Sequence, residues 1–416
     1  MKILIFHQFY TRLNEPGISR FNLFAKHWQK EGVETKVIVG MINYQTGRKK
    51  EEYKRKVFIK EKDGEIEIIR VFDSAIGYRT FLGRILSYVS FLFFSFWAGL
   101  FSAKPDIIIV SSPPIFLGIV GYLLSISKRV PFVLELRDLW PDEAIELGYV
   151  ENKFIIQVSY LIEKFLYGLA ELIVVNSPGF KEFLIEEKRI NTDKIGVVSN
   201  PVDFDGTVAR KKKEVELFRE ALGWKNKFVV LYSGSHSFVY DFSPLIETAK
   251  KLESNKNILF VLIGDGRQKP ALIKKINQEK IKNVRFLDTV PKNKVGYFIE
   301  ASDVCVALLK KMRLLKYVYA SKLFDYMAHQ KPIILAMEGV SVDLVCQKAK
   351  CGICIEPANA VSFQKAIIEF YNNNSKLKKL GENGYKFAKN NFSSEILAEQ
   401  YLKLLKPIII PKRKSD

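Results

Sequence analysis

Residues 258–267 read ILFVLIGDGR: six apolar residues in a row, two glycines around an aspartate, then an arginine. An unbroken apolar run closed by turn residues marks a strand buried on both faces of a parallel sheet. The same pattern stands nearby at FVVLY (228–232), VRFL (284–287), VCVAL (304–308), PIIL (332–335) and GICI (352–355). It also fills the first half, at KILIF (2–6), ETKVIV (34–39), IEIIRV (66–71), IIIV (107–110), FVLEL (132–136) and LIVVN (172–176). Segments of helical character separate these runs; Ser19–Glu31 carries Phe21, Phe24, Ala25 and Trp28 on one face, and Gly32 closes it. Alternation of this kind predicts α/β architecture with doubly wound parallel sheets. The cycle restarts after Asn200-Pro201, so we expect two tandem Rossmann-like domains, residues 1–200 and 201–393, joined near Ser199–Lys213 and followed by a helix at Ser394–Leu405.

With 416 residues, 48% of them hydrophobic and 26% charged, the chain can bury two cores, which excludes collagen-like, mucin-like and disordered classes. The formal charge of +20 is uneven: residues 1–200 carry a net +4 and residues 201–416 a net +16. Such a field attracts anions, whether nucleic acid, acidic lipid head groups or phosphorylated small molecules. Basic residues are not interleaved with aromatics as in a nucleic-acid module, so no nucleic-acid partner is expected. Four cysteines suit a reducing compartment and argue against a disulfide framework. The apolar run Ile3–Phe6 is too short for a signal peptide, and we expect a cytoplasmic protein. Ile85–Ala103 is uncharged between Arg84 and Lys104, long enough to span a bilayer. A helix wholly buried in its domain and one partly exposed to a bilayer interface are the other two readings. The insertion Asn43–Lys56 carries Arg48, Lys49, Lys50, Lys54, Arg55 and Lys56 and reads as a solvated loop or a contact to an anionic surface.

Open α/β sheets bind ligands beyond the carboxyl ends of their strands. There stand His7 to Arg20, Ser111-Ser112, and Arg137-Asp138 leading to Glu143 in the first half. In the second half the corresponding residues are Gly234-Ser235-His236, Gly264-Asp265-Gly266-Arg267, and Lys310-Lys311 leading to Ser321-Lys322-Leu323-Phe324-Asp325. A helix opening at Ser321 would present backbone N–H groups and a positive dipole end to an anion, with Lys322 as a point charge. Gly264 and Gly266 permit close backbone approach to a ligand.

Four segments together, RDLWPDE (137–143), VVSNPVD (197–203), IGDGRQK (263–269) and SKLFDYMAHQKPII (321–334), resemble the retaining glycosyltransferases of family 4, which have the GT-B fold. RDLWPDE is similar to the signature of the bacterial cell-surface polysaccharide subgroup. The resemblance implies two Rossmann-like domains facing across a cleft, the helix of 394–416 completing the first. It implies transfer of a hexose or modified hexose from a nucleoside diphosphate sugar, UDP first, to a lipid-linked or membrane-proximal saccharide. No metal or other cofactor is expected, and the protein would sit at the inner face of the plasma membrane. Donor binding falls to Gly234, Ser235, His236, Gly264, Gly266, Ser321, Leu323 and Asp325, the last accepting from ribose hydroxyls. Asp138, Arg137 (where the family has a histidine), Arg267 and Lys322 fall at the reacting groups, and His7, Glu15, Gly17 and Arg20 on the acceptor-side loop.

The departures are specific. The family's Arg and Lys after the first strand of the second domain are missing from Gly234–Asp241, leaving Arg267, Lys310, Lys311, Lys316 or Lys322 to replace them. Of the paired-glutamate motif, the second position is Asp325 and the first is Tyr317. A non-catalytic or scaffold member of the same fold is therefore the alternative. Asp203-Phe204-Asp205 falls in the interdomain motif rather than at a metal site, Cys346, Cys351 and Cys354 have no fourth zinc ligand nearby, and no GxGxxG follows the first strand. His27 and His329 read as structural, whereas His7 and His236 follow strands and are site candidates.

Overall fold

A computed structural model describes residues 1–12, 20–43, 47–64, 66–78, 80–204 and 212–409. They fall into two compact units, one of residues 1–12, 20–199 and 397–409, the other of residues 200–204 and 212–396. The first unit holds β1 (Lys2–Phe6), β2 (Glu34–Gly40), β3 (Phe58–Asp63), β4 (Ile66–Val71), β5 (Ile107–Ser112), β6 (Phe132–Leu136), β7 (Leu172–Val175) and β8 (Ile195–Val197). They form one sheet in the order β3-β4-β2-β1-β5-β6-β7-β8. The second unit holds β9 (Phe228–Ser233), β10 (Ile258–Ile263), β11 (Val284–Leu287), β12 (Val304–Leu308), β13 (Ile333–Ala336) and β14 (Gly352–Ile355), in the order β11-β10-β9-β12-β13-β14.

Pairing is parallel throughout the second sheet, with Phe260 in register with Val230 and Val284. The first sheet departs from the expected all-parallel pattern at one edge, where β3 runs antiparallel to β4. That strand, FIKEKD, alternates exposed and half-buried residues, so it lacks the apolar run that betrays its neighbours. Part of the basic insertion is also packed rather than solvated: Tyr53 is buried and the Lys49 ammonium lies 3.6 Å from the centre of the Phe72 ring. In each sheet the chain builds outward from the first strand on one side, then returns to its other side. The resulting switch points lie between β1 and β5 and between β9 and β12, where ligand crevices form.

The helix Phe81–Phe101, capped by Thr80 Oγ1 accepting from Gly83 N, packs one face on the first sheet. Phe91, Ser87, Ser95 and Ala98 are buried, but Leu82, Val89, Phe93 and Phe101 are exposed, with Phe101 at 82%. Only 28% of its most apolar window is buried, so it is not a wholly buried core helix, although it is long and apolar enough to cross a membrane. The final helix, Ser394–Ile409, packs into the first unit through Tyr401, whose ring lies 5.6 Å from Trp28, and the indole N–H of Trp28 donates to Ala398 O. The second core gathers Val230, Tyr232, Phe260, Leu262, Val306 and Phe363 around β9, β10 and β12. Contrary to the expectation from cysteine content, Cys346 and Cys354 form a disulfide, while Cys305 and Cys351 are buried thiols.

Candidate active site

In the second unit, the loops after β9 and β10 interlock. Gly264 and Gly266 adopt φ of +136° and +155°, where an L side chain is strained. A Cβ on Gly264 would strike Gly234 O, and one on Gly266 would come within 2.5 Å of the His236 carbonyl carbon. Backbone bonds knit the loops together: Gly234 N donates to Ile263 O, His236 N to Asp265 O and Gln268 N to His236 O. Lys269 locks the lower side, its ammonium donating to Gly264 O, Leu287 O and Asp288 Oδ1.

Against this cradle comes Lys322, the first residue of the helix Lys322–Ala328. Its ammonium lies 3.8 Å from the ring centre of Tyr232 and 4.2 Å from that of Tyr240, and 3.1 Å from where a Gly234 Cβ would stand. It is buried and has no hydrogen-bond partner among the described residues. Burial holds its pKa well below the ordinary lysine value. His236, stacked on Phe242, also has both ring nitrogens buried and without a hydrogen-bond partner among the described residues. Burial, then the charges of Lys269 and Lys322, lower its pKa to about 4, so it is neutral at pH 7. Tyr326 OH accepts from Ser233 N and fixes the helix to the end of β9.

The remaining donor-side candidates are placed differently. Ser321 does not cap its helix; its Oγ accepts from Asn200 Nδ2 at 3.2 Å. Leu323 points into the core, and its N–H, like that of Phe324, is used within the turn by Ala320 O and Ser321 O. The helix N-terminus therefore offers fewer free donors than its sequence suggests. Asp325 is half-buried on that helix. Of the candidate replacement cations, Arg267 and Lys310 are exposed, Lys311 pairs with Glu338 and Lys316 lies over Tyr317, whereas the Lys322 ammonium stands against the Gly234 turn.

In the first unit, Arg137 Nη1 donates to His7 Nε2 at 2.8 Å, which puts the histidine proton on Nδ1. His7 is buried, and burial followed by the charges of Arg137 and Arg20 keeps it neutral. Asp138 follows directly, with Ser112 Oγ at 3.5 Å, and burial raises its carboxyl to about 6. Glu143, in the same segment, is pushed to about 7 by burial and then by the charges of Asp138 and Glu146. His7, Arg137 and Asp138 are thus brought together at the β1 and β6 ends, with Glu143 a neighbour that the sequence did not single out. Arg20 is the correction. It opens the helix Arg20–Lys30, donates to Val198 O and Ser199 O, and pairs at 3.2 Å with the equally buried Glu135. Glu135 also accepts from Ser111 Oγ and Tyr401 OH, so this arginine ties the fold together and does not face a ligand. Glu15, Gly17 and Asp205 lie outside the described residues. No cluster of three or more His, Cys, Asp or Glu side chains able to hold a metal occurs among the described residues.

Residues 21–205 match the family model "Glycosyltransferase Family 4", and residues 214–387 match "Glycosyl transferases group 1". An uncharacterized glycosyltransferase of Methanocaldococcus jannaschii is 27% identical over 237 residues, 54% of this chain. The match spans 62% of that relative's length. Among solved structures, Anabaena HepE in complex with UDP and glucose superposes with a TM-score of 0.73 at 16% identity, over 98% of this chain and 99% of its own. Sucrose-phosphate synthase from Thermosynechococcus elongatus gives 0.74 at 14% identity, over 97% and 98%.

Proposed function

We propose that this chain, a glycosyltransferase by its family 4 and group 1 domains and of the GT-B fold, moves a hexose or modified hexose from a nucleoside diphosphate sugar to a lipid-linked or membrane-proximal saccharide in surface polysaccharide synthesis. Transfer retains the anomeric configuration and needs no metal. The observation that carries the reading is the buried Lys322 ammonium at the Gly234 turn, without a hydrogen-bond partner among the described residues. A buried cation with no partner is a costly arrangement that an anionic ligand relieves. The diphosphate of the donor fits it in charge, and the same contact stabilises the charge that develops on the leaving diphosphate as the sugar departs. Uridine diphosphate is the first choice because HepE, similar in fold, was crystallised with UDP.

The first unit takes the acceptor. Asp138 orients its hydroxyl, with Ser112 Oγ and the charge of Arg137 beside the carboxylate, and the leaving diphosphate accepts the proton. Three adjacent helices of this unit support an acceptor at the inner membrane face. Phe81–Phe101, Leu117–Lys128 and Lys153–Leu169 expose Val89, Phe93, Ile126, Phe154 and Leu161, with Lys153 and Lys164 alongside.

Calorimetry of the full chain against uridine, guanosine, thymidine, cytidine and adenosine diphosphates, with and without magnesium, tests the reading. Binding of one diphosphate irrespective of metal is expected. Binding of none would favour the non-catalytic alternative.

A further inference from the structure

The first unit contains a groove that nucleotide and saccharide chemistry leave unused. It lies between the C-terminal half of the Phe81–Phe101 helix and strands β2, β3 and β4, with a volume of about 590 Å³, within the ~300–1,000 Å³ of ordinary ligand pockets. Phe58, Ile69, Phe94, Trp97 and Phe101 form its walls, and Ser102, its one hydroxyl, already donates to Ala98 O. The rings are mutually braced, Phe58 on Phe94 at 6.0 Å and Trp97 stacked on Phe101 at 5.9 Å, so the walls hold without an occupant. Such walls offer a ligand ring faces and no hydrogen bonds, which suits a hydrocarbon chain and penalises a sugar, a base or a peptide backbone.

The charged lining lies on the sheet side: Lys36 and Glu67 face each other across β2 and β4, and the exposed Lys60 stands on the edge strand β3 opposite Ile69. Lys36 pairs with Glu67 at 3.1 Å, while Lys60 has no ion pair among the described residues, so this side is net positive. An apolar trough with a cationic edge is complementary to an amphiphile with an anionic head.

We propose that this groove binds the hydrocarbon chain of a phosphate-bearing lipid, the chain along Phe94, Trp97 and Phe101 and the phosphate at Lys60. The proposal rests on the membrane-proximal reading of the acceptor and names the lipid part of it.

The test titrates the full chain with decyl phosphate below its aggregation limit, with decanol and with inorganic phosphate, by calorimetry and native mass spectrometry. Saturable binding of one decyl phosphate per chain is expected, with decanol weaker by about tenfold and inorganic phosphate unbound. Phe101→Glu, at an exposed wall position, should weaken decyl phosphate by at least about tenfold, and Lys60→Glu should reduce it to the level of decanol. Uridine diphosphate binding, measured on the same samples, should be unchanged in both variants. Non-saturable uptake, equal affinity for decanol, or indifference to Phe101→Glu overturns the groove. A chain that binds decyl phosphate but no nucleotide keeps the groove and removes the transferase reading; one that binds nucleotide but no decyl phosphate does the reverse.

Discussion

Lys322→Met separates the two consequences of a buried, unpartnered cation by giving them opposite signs. In the free protein the ammonium is taken out of water and receives only two aromatic faces in return, at 3.8 and 4.2 Å. Desolvation costs several kcal/mol, and ring contacts return up to about 2 kcal/mol each. Methionine fills similar volume without the charge, so the variant should be as stable as the wild type or more so by about 1 kcal/mol, read from urea midpoints. Nucleotide binding should move the other way. A charge-assisted bond to a phosphate in this setting is worth about 1.5–3 kcal/mol, so the Kd for uridine diphosphate should rise about 10- to 150-fold. Protonation gives a second readout. Because burial holds the lysine pKa down and a bound phosphate raises it, binding above the depressed pKa must draw in a proton. Affinity should then fall as pH rises, and the binding enthalpy should depend on the buffer in the wild type but not in the variant. Unchanged nucleotide affinity, or a stability loss above about 1 kcal/mol, would refute the reasoning.

Other consequences are as direct. Gly264→Ala sets a Cβ against Gly234 O at φ +136° and should cost about 1–3 kcal/mol of stability and most of the nucleotide affinity; a variant with wild-type calorimetry would show the cradle to be irrelevant. Arg20→Met leaves Glu135 buried without its cation and should cost about 3–5 kcal/mol, partly restored by adding Glu135→Gln. A loss under about 1 kcal/mol in urea would contradict the tie between helix and sheet. Asp138, raised to about 6, penalises the folded state when ionised. Asp138→Asn should therefore stabilise at pH 8, with the gain vanishing as pH falls through 6 towards 4; an equal gain at both ends would exclude the carboxyl as its source. Phe154→Glu with Leu161→Glu should abolish co-sedimentation with anionic vesicles while leaving nucleotide binding intact, and persistent sedimentation would remove that helix from the membrane face.

The strands that could be read from the sequence are those buried on both faces. ILFVLI and IIIV announce themselves because a parallel interior strand has no polar side to show. FIKEKD does not, since one edge of it faces water, and IGV at 195–197 is too short to carry a pattern. The glycines after β9 and β10 could be picked out because close approach has a residue-type signature. The environment of Lys322 could not, because its rings come from Tyr232 and Tyr240, more than eighty positions away. Arg20 looked like a loop residue for the same reason: Glu135 and the carbonyls of Val198 and Ser199 are known to it only through the fold. The cysteines show the limit most plainly, since Cys354 bonds Cys346 and not its CxxC neighbour Cys351.

How the chain treats its other lysines bears on what Lys322 is for. Lys128 donates to Leu100 O and Ser102 O, Lys331 to Glu300 O and Ser302 O, and Lys269 to two carbonyls and a carboxylate. Lys188 sits between Asp142 and Glu163. In each case a packed ammonium has been given oxygen acceptors, as the cost of burying charge requires. Lys322 has none among the described residues, although it packs directly against the Gly234 turn. The carbonyl oxygens of Ile263, Asp265 and His236 in the β9 and β10 loops are used for the bonds that hold the loops together. An ammonium left without oxygen where the rest of the chain supplies it is best accounted for by oxygens that arrive with the substrate.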